Sequence, residues 1–252
     1  MKGWIIYDKK DAEKNIAFIS RLTAELAKYD IEARLVFVEN EPKKETPSFA
    51  INRSRDYKIA ERLENKGVKV FNESTITKLS NDKRRMHEFF DGKVPQMRLV
   101  TDYPFVLKSV DGHGGNEVFM VNSREEEDKA VLALATKDYI KQEVCSDLGK
   151  DKRVYIVGNE VVSSILREAD DFRSNYSLGG RATACELDEK EKEIVDKILK
   201  TISIDYAGID LIYNNGEPVF NEIEDPVGAR MLYENTDIDI VEIFVKYIVD
   251  NL

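Results

Sequence analysis

Two short apolar runs, Ala207–Tyr213 (AGIDLIY) and Pro218–Glu224 (PVFNEIE), stand on either side of Asn214-Asn215-Gly216. Runs of this length joined by residues that tolerate a positive φ predict a β-hairpin, and so an antiparallel pair. The pair carries Asp210, Glu222 and Glu224 in strands that are otherwise apolar. Side chains alternate across a strand, so Glu222 and Glu224 share a face, and the same alternation assigns Phe220 to it. Two anions this close repel unless a cation lies between them, a proton neutralises one, or both reach water.

The first third has a different rhythm. GWIIY (3–7), ARLVFV (33–38), SFAIN (48–52) and VKVF (68–71) read as strands, with helices expected over 12–28 and 55–65. Strand and helix in alternation predict a parallel sheet covered on both sides. Between the two regions, a helix over 81–90 precedes the strands PFVLKSV, EVFMV and DYIKQEV, with another helix over 124–136, which suggests a small α+β lobe. RVYIVGNEVVSSILR then reads as a hairpin turning at Gly158-Asn159, followed by a helix over 189–201, the acidic hairpin and a terminal helix. The fold class expected is α/β with α+β lobes.

Composition narrows the function. The chain has 252 residues and a formal charge of -10, with its Lys and Arg scattered. That argues against a general nucleic-acid or anionic-membrane binder. Its 2 cysteines, Cys145 and Cys185, form no metal or redox spacing and cannot build a disulfide framework. The apolar run near the start is too short for a signal peptide, and no run is long enough to span a membrane, so a cytoplasmic protein is expected.

Four constellations could carry chemistry. Asp210, Glu222 and Glu224 on paired strands could hold Mg²⁺ together with phosphate oxygens; a solvated polar strand face is the other reading. In VLKSVDGHGGNEVFMV, Lys108 enters a loop containing Gly112, Gly114 and Gly115. Glycine backbone can turn several N–H groups toward phosphate, with Lys108 as a point charge, although the stretch is neither a Walker A motif nor a Rossmann fingerprint. An ordinary hairpin with convenient glycines accounts for it equally. His113 in that loop reads as a phosphate contact, an acid or base, or a solvent-exposed histidine. Finally, READDFRSNYSLGGR places Arg167, Arg173 and Arg181 around a polar stretch with no hydrophobic period. Guanidinium groups suit carboxylate or phosphate, with Asn175 able to orient an oxygen, and the alternative is a long solvated loop. Arg53, Arg55 and Arg230 hint weakly at an anionic substrate.

Together, DFRSNYSLGG followed by AGIDLIY and EPVFNEIEDPVG resembles the ATP-grasp fold, and most closely the RimK-type carboxylate–amine ligases. The resemblance runs from about Asn81 to the end of the chain and more loosely over the first segment. It implies an N-terminal Rossmann-like lobe over 1–80, a central or lid lobe over 81–142, and a C-terminal lobe with the metal site over 143–252. Lys83 and Lys108 resemble the two ATP-contacting lysines, and Gly112, Gly114 and Gly115 the loop that covers phosphates. In YIKQEV, Glu143 and Val144 resemble the hinge that meets adenine. Asp151 resembles a ribose contact, and Arg153 a residue facing the phosphates or acyl group. Arg173, Ser174 and Asn175 match the nucleotide- and substrate-side RSN, with Arg173, Lys108 and Asn175 implied in catalysis. Asp210 and Glu222 match metal carboxylates, and Glu224 stands where these ligases usually have Asn.

The activity implied is ATP-dependent amide formation through an acyl phosphate, with Mg²⁺ or Mn²⁺ at Asp210, Glu222 and Glu224. The implied substrates are an amino acid, a peptide or a protein tail. Subunits commonly pair among such relatives, so a homo-oligomer is an expectation of the same origin. The extra charge of Glu224 keeps a second reading open, a regulatory module that holds ATP or ADP without turnover.

Overall fold

A computed structural model describes residues 1–115, 117–170 and 180–252. The first segment runs β1 (Lys2–Tyr7), α1 (Lys9–Lys14), α2 (Ile16–Ala27), β2 (Glu32–Phe37), β3 (Phe49–Asn52), α3 (Tyr57–Glu64), β4 (Lys69–Phe71) and α4 (Ser74–Ser80). Its strands form one parallel sheet in the order β2-β1-β3-β4. All four residues of β3 are buried, as are the last five of β1, which is why both read as unbroken apolar runs. The helix expected over 12–28 is interrupted at Asn15, whose side-chain amide donates to the Asp11 carbonyl at 2.8 Å.

Gly3 is required by packing. A Cβ there would lie 2.3 Å from the Phe49 ring, itself fully buried. Gly3→Val should therefore lower stability by about 1–3 kcal/mol through overpacking, read as a reduced urea midpoint with an unchanged slope.

The middle segment comprises α5 (Lys83–Phe90), β5 (Phe105–Ser109), β6 (Val118–Val121), α6 (Arg124–Leu134) and β7 (Tyr139–Glu143). The strands make an antiparallel sheet in the order β6-β5-β7. Asp82 caps α5 by accepting from the Arg85 backbone N–H at 2.9 Å, which fixes where Lys83 leaves the helix start.

The rest is β8 (Lys150–Val157), β9 (Glu160–Glu168), β10 (Arg181–Cys185), α7 (Glu189–Thr201), β11 (Tyr206–Asn214), β12 (Glu217–Glu224), α8 (Arg230–Asn235) and α9 (Ile240–Asp250). The sheet order is β10-β9-β8-β11-β12, antiparallel throughout. Asn215 and Gly216 both have positive φ (55° and 77°), as a tight hairpin turn demands. Apolar residues of β8, β11 and β12 pack with α5 and α7 in one core, while α9 joins the other face of this sheet to residues of the parallel sheet.

One expectation from strand alternation fails. β11 opposes Asp210 to Glu222 but Leu211 to Phe220, so Asn221 is the extra residue of a β-bulge. Phe220 consequently turns into the core, where its ring lies 4.9 Å from that of Phe90. Asn221, Glu222 and Glu224 all line the same cavity. Among the described residues, no helix is long and apolar enough to cross a membrane.

Candidate active site

The cavity lies between the two antiparallel sheets. β5, β6 and β7 supply Val106, Lys108, Val118, Gln142 and Glu143; β8, β9, β11 and β12 supply Asp151, Arg153, Arg167, Asp210, Ile212 and residues 221–224. Val106, Val118, Leu148 and Ile212 make an apolar portion suited to a flat heterocycle. Lys83, Lys108 and the loop glycines Gly112, Gly114 and Gly115 contribute the portion suited to anions.

Lys108 links the sheets. Its Nζ donates to Gln142 Oε1 at 2.7 Å and to Asn221 Oδ1 at 3.0 Å. Burial lowers its pKa, against the opposing pull of Glu222. Lys83 donates to the Gly112 carbonyl and stands 3.3 Å from Glu222. One lysine thus ties the glycine loop to the acidic strand. Burial is the largest influence on Glu222 and works against its charge, but Lys83 and Lys108 act together to hold that carboxyl below the usual range.

The other two acids have arginine partners. Arg153 donates through Nε and Nη2 to the two oxygens of Asp210, at 2.8 and 2.7 Å, and its Nη2 also pairs with Glu224. Arg167 donates to Asp210 at 2.8 Å and to Asp151. Despite burial, these two cations keep Asp210 strongly ionised. Burial raises the pKa of Glu224, in opposition to Arg153. Among the described residues, no group of three or more His, Cys, Asp or Glu is placed to hold a metal ion. A divalent cation shared with nucleotide phosphates needs only one or two carboxylates. Glu222, with 28% of its side chain exposed and a lysine beside it, fits that part.

The remaining expected residues fall as follows. Glu143 lines the cavity, but its carboxylate is turned to Arg98 in a two-pronged pair at 3.0 and 2.8 Å. The wall omits Val144 and takes Cys145. Asp151 and Arg153 are both in the wall. Arg173, Ser174 and Asn175 lie outside the described residues. His113 is half-buried in the wall, and burial together with Arg55 and Lys83 lowers its pKa to about 4, leaving a neutral imidazole near pH 7. Arg53 is only 2% exposed: it donates to the Val227 carbonyl and its guanidinium lies 4.6 Å from the Tyr206 ring centroid, which joins the parallel sheet to the chain after β12. Arg55 pairs with Asp11, and Arg230 opens α8 with 70% of its side chain exposed. Arg167, one of the three arginines expected to bind an anion, is in the wall, whereas Gln142 and Asn221 were not singled out by the sequence. Strand alternation from Lys108 and Asp210 would have found Val106 and Ile212.

Immediately after Glu224, the buried Asp225 accepts from Asn72 and from Thr77 Oγ1 (3.0 Å). Burial, partly offset by Arg53, raises its pKa from 3.8 to about 6. A carboxyl raised in the folded state binds more protons folded than unfolded. Its favourable contribution is therefore complete below its unfolded pKa and is lost as pH rises through 6. Between pH 4 and 7 this group should cost about 2 kcal/mol of stability, and Asp225→Asn should flatten that part of the urea-midpoint profile.

A profile of the RimK-like ATP-grasp domain matches residues 63–248. Uncharacterized protein MG011 of Mycoplasma genitalium is 27% identical over 98% of this chain and 92% of its own length. The ribosomal protein bS6–L-glutamate ligase of Escherichia coli O81 is 31% identical over 60% of this chain and 52% of its own length. In fold, the chain is similar to the ATP-grasp ligase PsnB solved with a phosphomimetic precursor variant, Mg and ADP, at TM-score 0.70 and 14% identity, covering 99% of this chain and 98% of that one. With lysines, glycine loop and acids converging between two sheets, and with most of its length matched, the chain belongs to the RimK-like ATP-grasp family of ATP-dependent carboxylate–amine ligases.

Proposed function

We propose that this chain joins a carboxylate to an amine through an acyl phosphate formed from ATP and Mg²⁺. The observation that carries the reading is the cavity between two sheets, apolar along Val106 and Ile212 and charged at Lys83, Lys108 and Glu222. In the first step a carboxylate oxygen attacks the γ-phosphorus and ADP leaves. In the second the amine attacks the acyl carbon, phosphate leaves and the amine loses a proton. Lys108 and Lys83 hold phosphate oxygens, and Arg173 and Asn175 take the substrate-side roles that the resemblance implies. A divalent cation at Glu222 would supply positive charge where the phosphates gain negative charge. The glycine loop covers the phosphates and keeps water from the acyl phosphate.

The substrate class proposed is an amino acid joined to a peptide or protein tail. The bS6–L-glutamate ligase and PsnB, solved with a precursor, point the same way. The division at 80 and 142 belongs to the same proposal, with the cavity at the seam between the second and third parts. A nucleotide-holding module without turnover is the second reading, favoured by the arginines that engage Asp210 and Glu224. An ADP-release screen of amino acids and peptides, with mass spectrometry of products, separates them. Ligation predicts ADP and an amide formed together in a substrate-dependent way; nucleotide binding with no ADP release from any pair supports the module.

A further inference from the structure

Glu224 stands where the resemblance implies Asn, and the structure shows what faces that carboxylate. Arg153 leaves β8 opposite Asp210 of β11, and Asp210 in turn stands opposite Glu222 of β12. To reach Glu224, the Arg153 side chain must cross the face of β11. It passes over Gly208, the partner of Glu224 on β11, where an added Cβ would meet Arg153 Cδ at 3.4 Å, an ordinary van der Waals contact. The guanidinium thus comes to rest against both Asp210 and Glu224, where a cation shared by those acids would otherwise be needed.

We propose that Arg153, backed by Arg167, takes the place of a divalent cation between Asp210 and Glu224, so that the site holds one metal ion, on Glu222, and Glu224 serves to position Arg153. The inference rests on the reading of the cavity as a nucleotide site.

Lone-pair counting supports it. The two oxygens of Asp210 offer about four acceptor positions, and three are used, two by Arg153 and one by Arg167. Arginine cannot surrender its proton to escape an incoming metal ion. The side chains of Arg153 and Arg167 are 12% and 8% exposed, so water screens them little from a cation bound to Asp210. Glu222 differs: its charged partner at 3.3 Å is Lys83, a flexible point charge that can move to a phosphate. The same arrangement explains how a second glutamate is tolerated beside the phosphates. Its charge is spent on Arg153 and leaves the nucleotide-facing potential close to that of an uncharged residue.

The test is a Mn²⁺ titration followed by electron paramagnetic resonance, on the full chain saturated with a non-hydrolysable ATP analogue. One bound Mn²⁺ per nucleotide-loaded chain is expected. Glu224→Ala, which removes any ligand at that position, should change Mn²⁺ affinity by less than about threefold. Glu222→Ala should weaken it by at least about tenfold. Two bound Mn²⁺, or a loss of about tenfold or more in Glu224→Ala, would overturn the inference and leave the ligase reading intact. Failure of the wild-type chain to bind the analogue at all would overturn both. The wild-type ion count decides the question even if a variant folds poorly.

Discussion

Glu222→Gln should lower the rate of ADP formation by about 10²–10³-fold, the loss expected when one charge aimed at a reacting phosphate group is removed. The substitution keeps size and shape and deletes only the charge. Glu222 lies on the cavity side of the bulge, 28% exposed, with its charged partner Lys83 at 3.3 Å, so the core formed by Phe220 and Ile223 is untouched. The nucleotide-free melting temperature should therefore fall by no more than a few degrees, since glutamine fills the same volume and Lys83 keeps its bond to the Gly112 carbonyl. Equal turnover by wild type and variant would remove Glu222 from the mechanism. A large drop in melting temperature would instead make its role structural.

Lys108→Met should raise the ATP KM and lower kcat together, with kcat/KM falling by about 10²-fold or more. Methionine keeps the apolar stem and removes the charge. Here a structural cost is expected as well, because Gln142 Oε1 and Asn221 Oδ1 lose a donor at 2.7 and 3.0 Å. That cost is about 1–3 kcal/mol. The two effects separate by assay: at a temperature where the variant is fully folded, the stability loss no longer matters and the rate loss remains. Near-normal kcat/KM in a folded variant would mean that Lys108 only bridges the sheets.

The parts of this fold that were legible in the sequence are those set by local chemistry. Asn215-Gly216 and Gly158-Asn159 announce their hairpins because few other residues accept positive φ. The apolar runs of β1 and β3 announce a sheet covered on both faces. What escaped depends on partners far along the chain. The bulge at Asn221 exists only in register with β11, so alternation along β12 misplaced Phe220. β10 is a short edge strand with largely exposed residues, and it becomes a strand by pairing with β9. α4, with the sequence STITKLS, has weak helix formers and buries Ile76 and Leu79 in the core shared with α5 and α7. At the site, Lys108 and the three acids stood out from strand alternation and the glycine loop, whereas Lys83 was named through the family resemblance. The pairing of Arg153 with Asp210 and Glu224 spans 57 and 71 positions and has no local signature. Arg53 was misleading for the same reason: a sequence shows the guanidinium and hides the aromatic rings that bury it.

The most direct test of the account is a crystal structure of this chain with Mg²⁺ and a non-hydrolysable ATP analogue. The account predicts the base among Val106, Val118 and Ile212, the phosphates against Lys83, Lys108 and the Gly112–Gly115 loop, and the ion touching Glu222 with Arg153 still on Asp210. A nucleotide bound elsewhere, or phosphates that touch neither lysine, would contradict it.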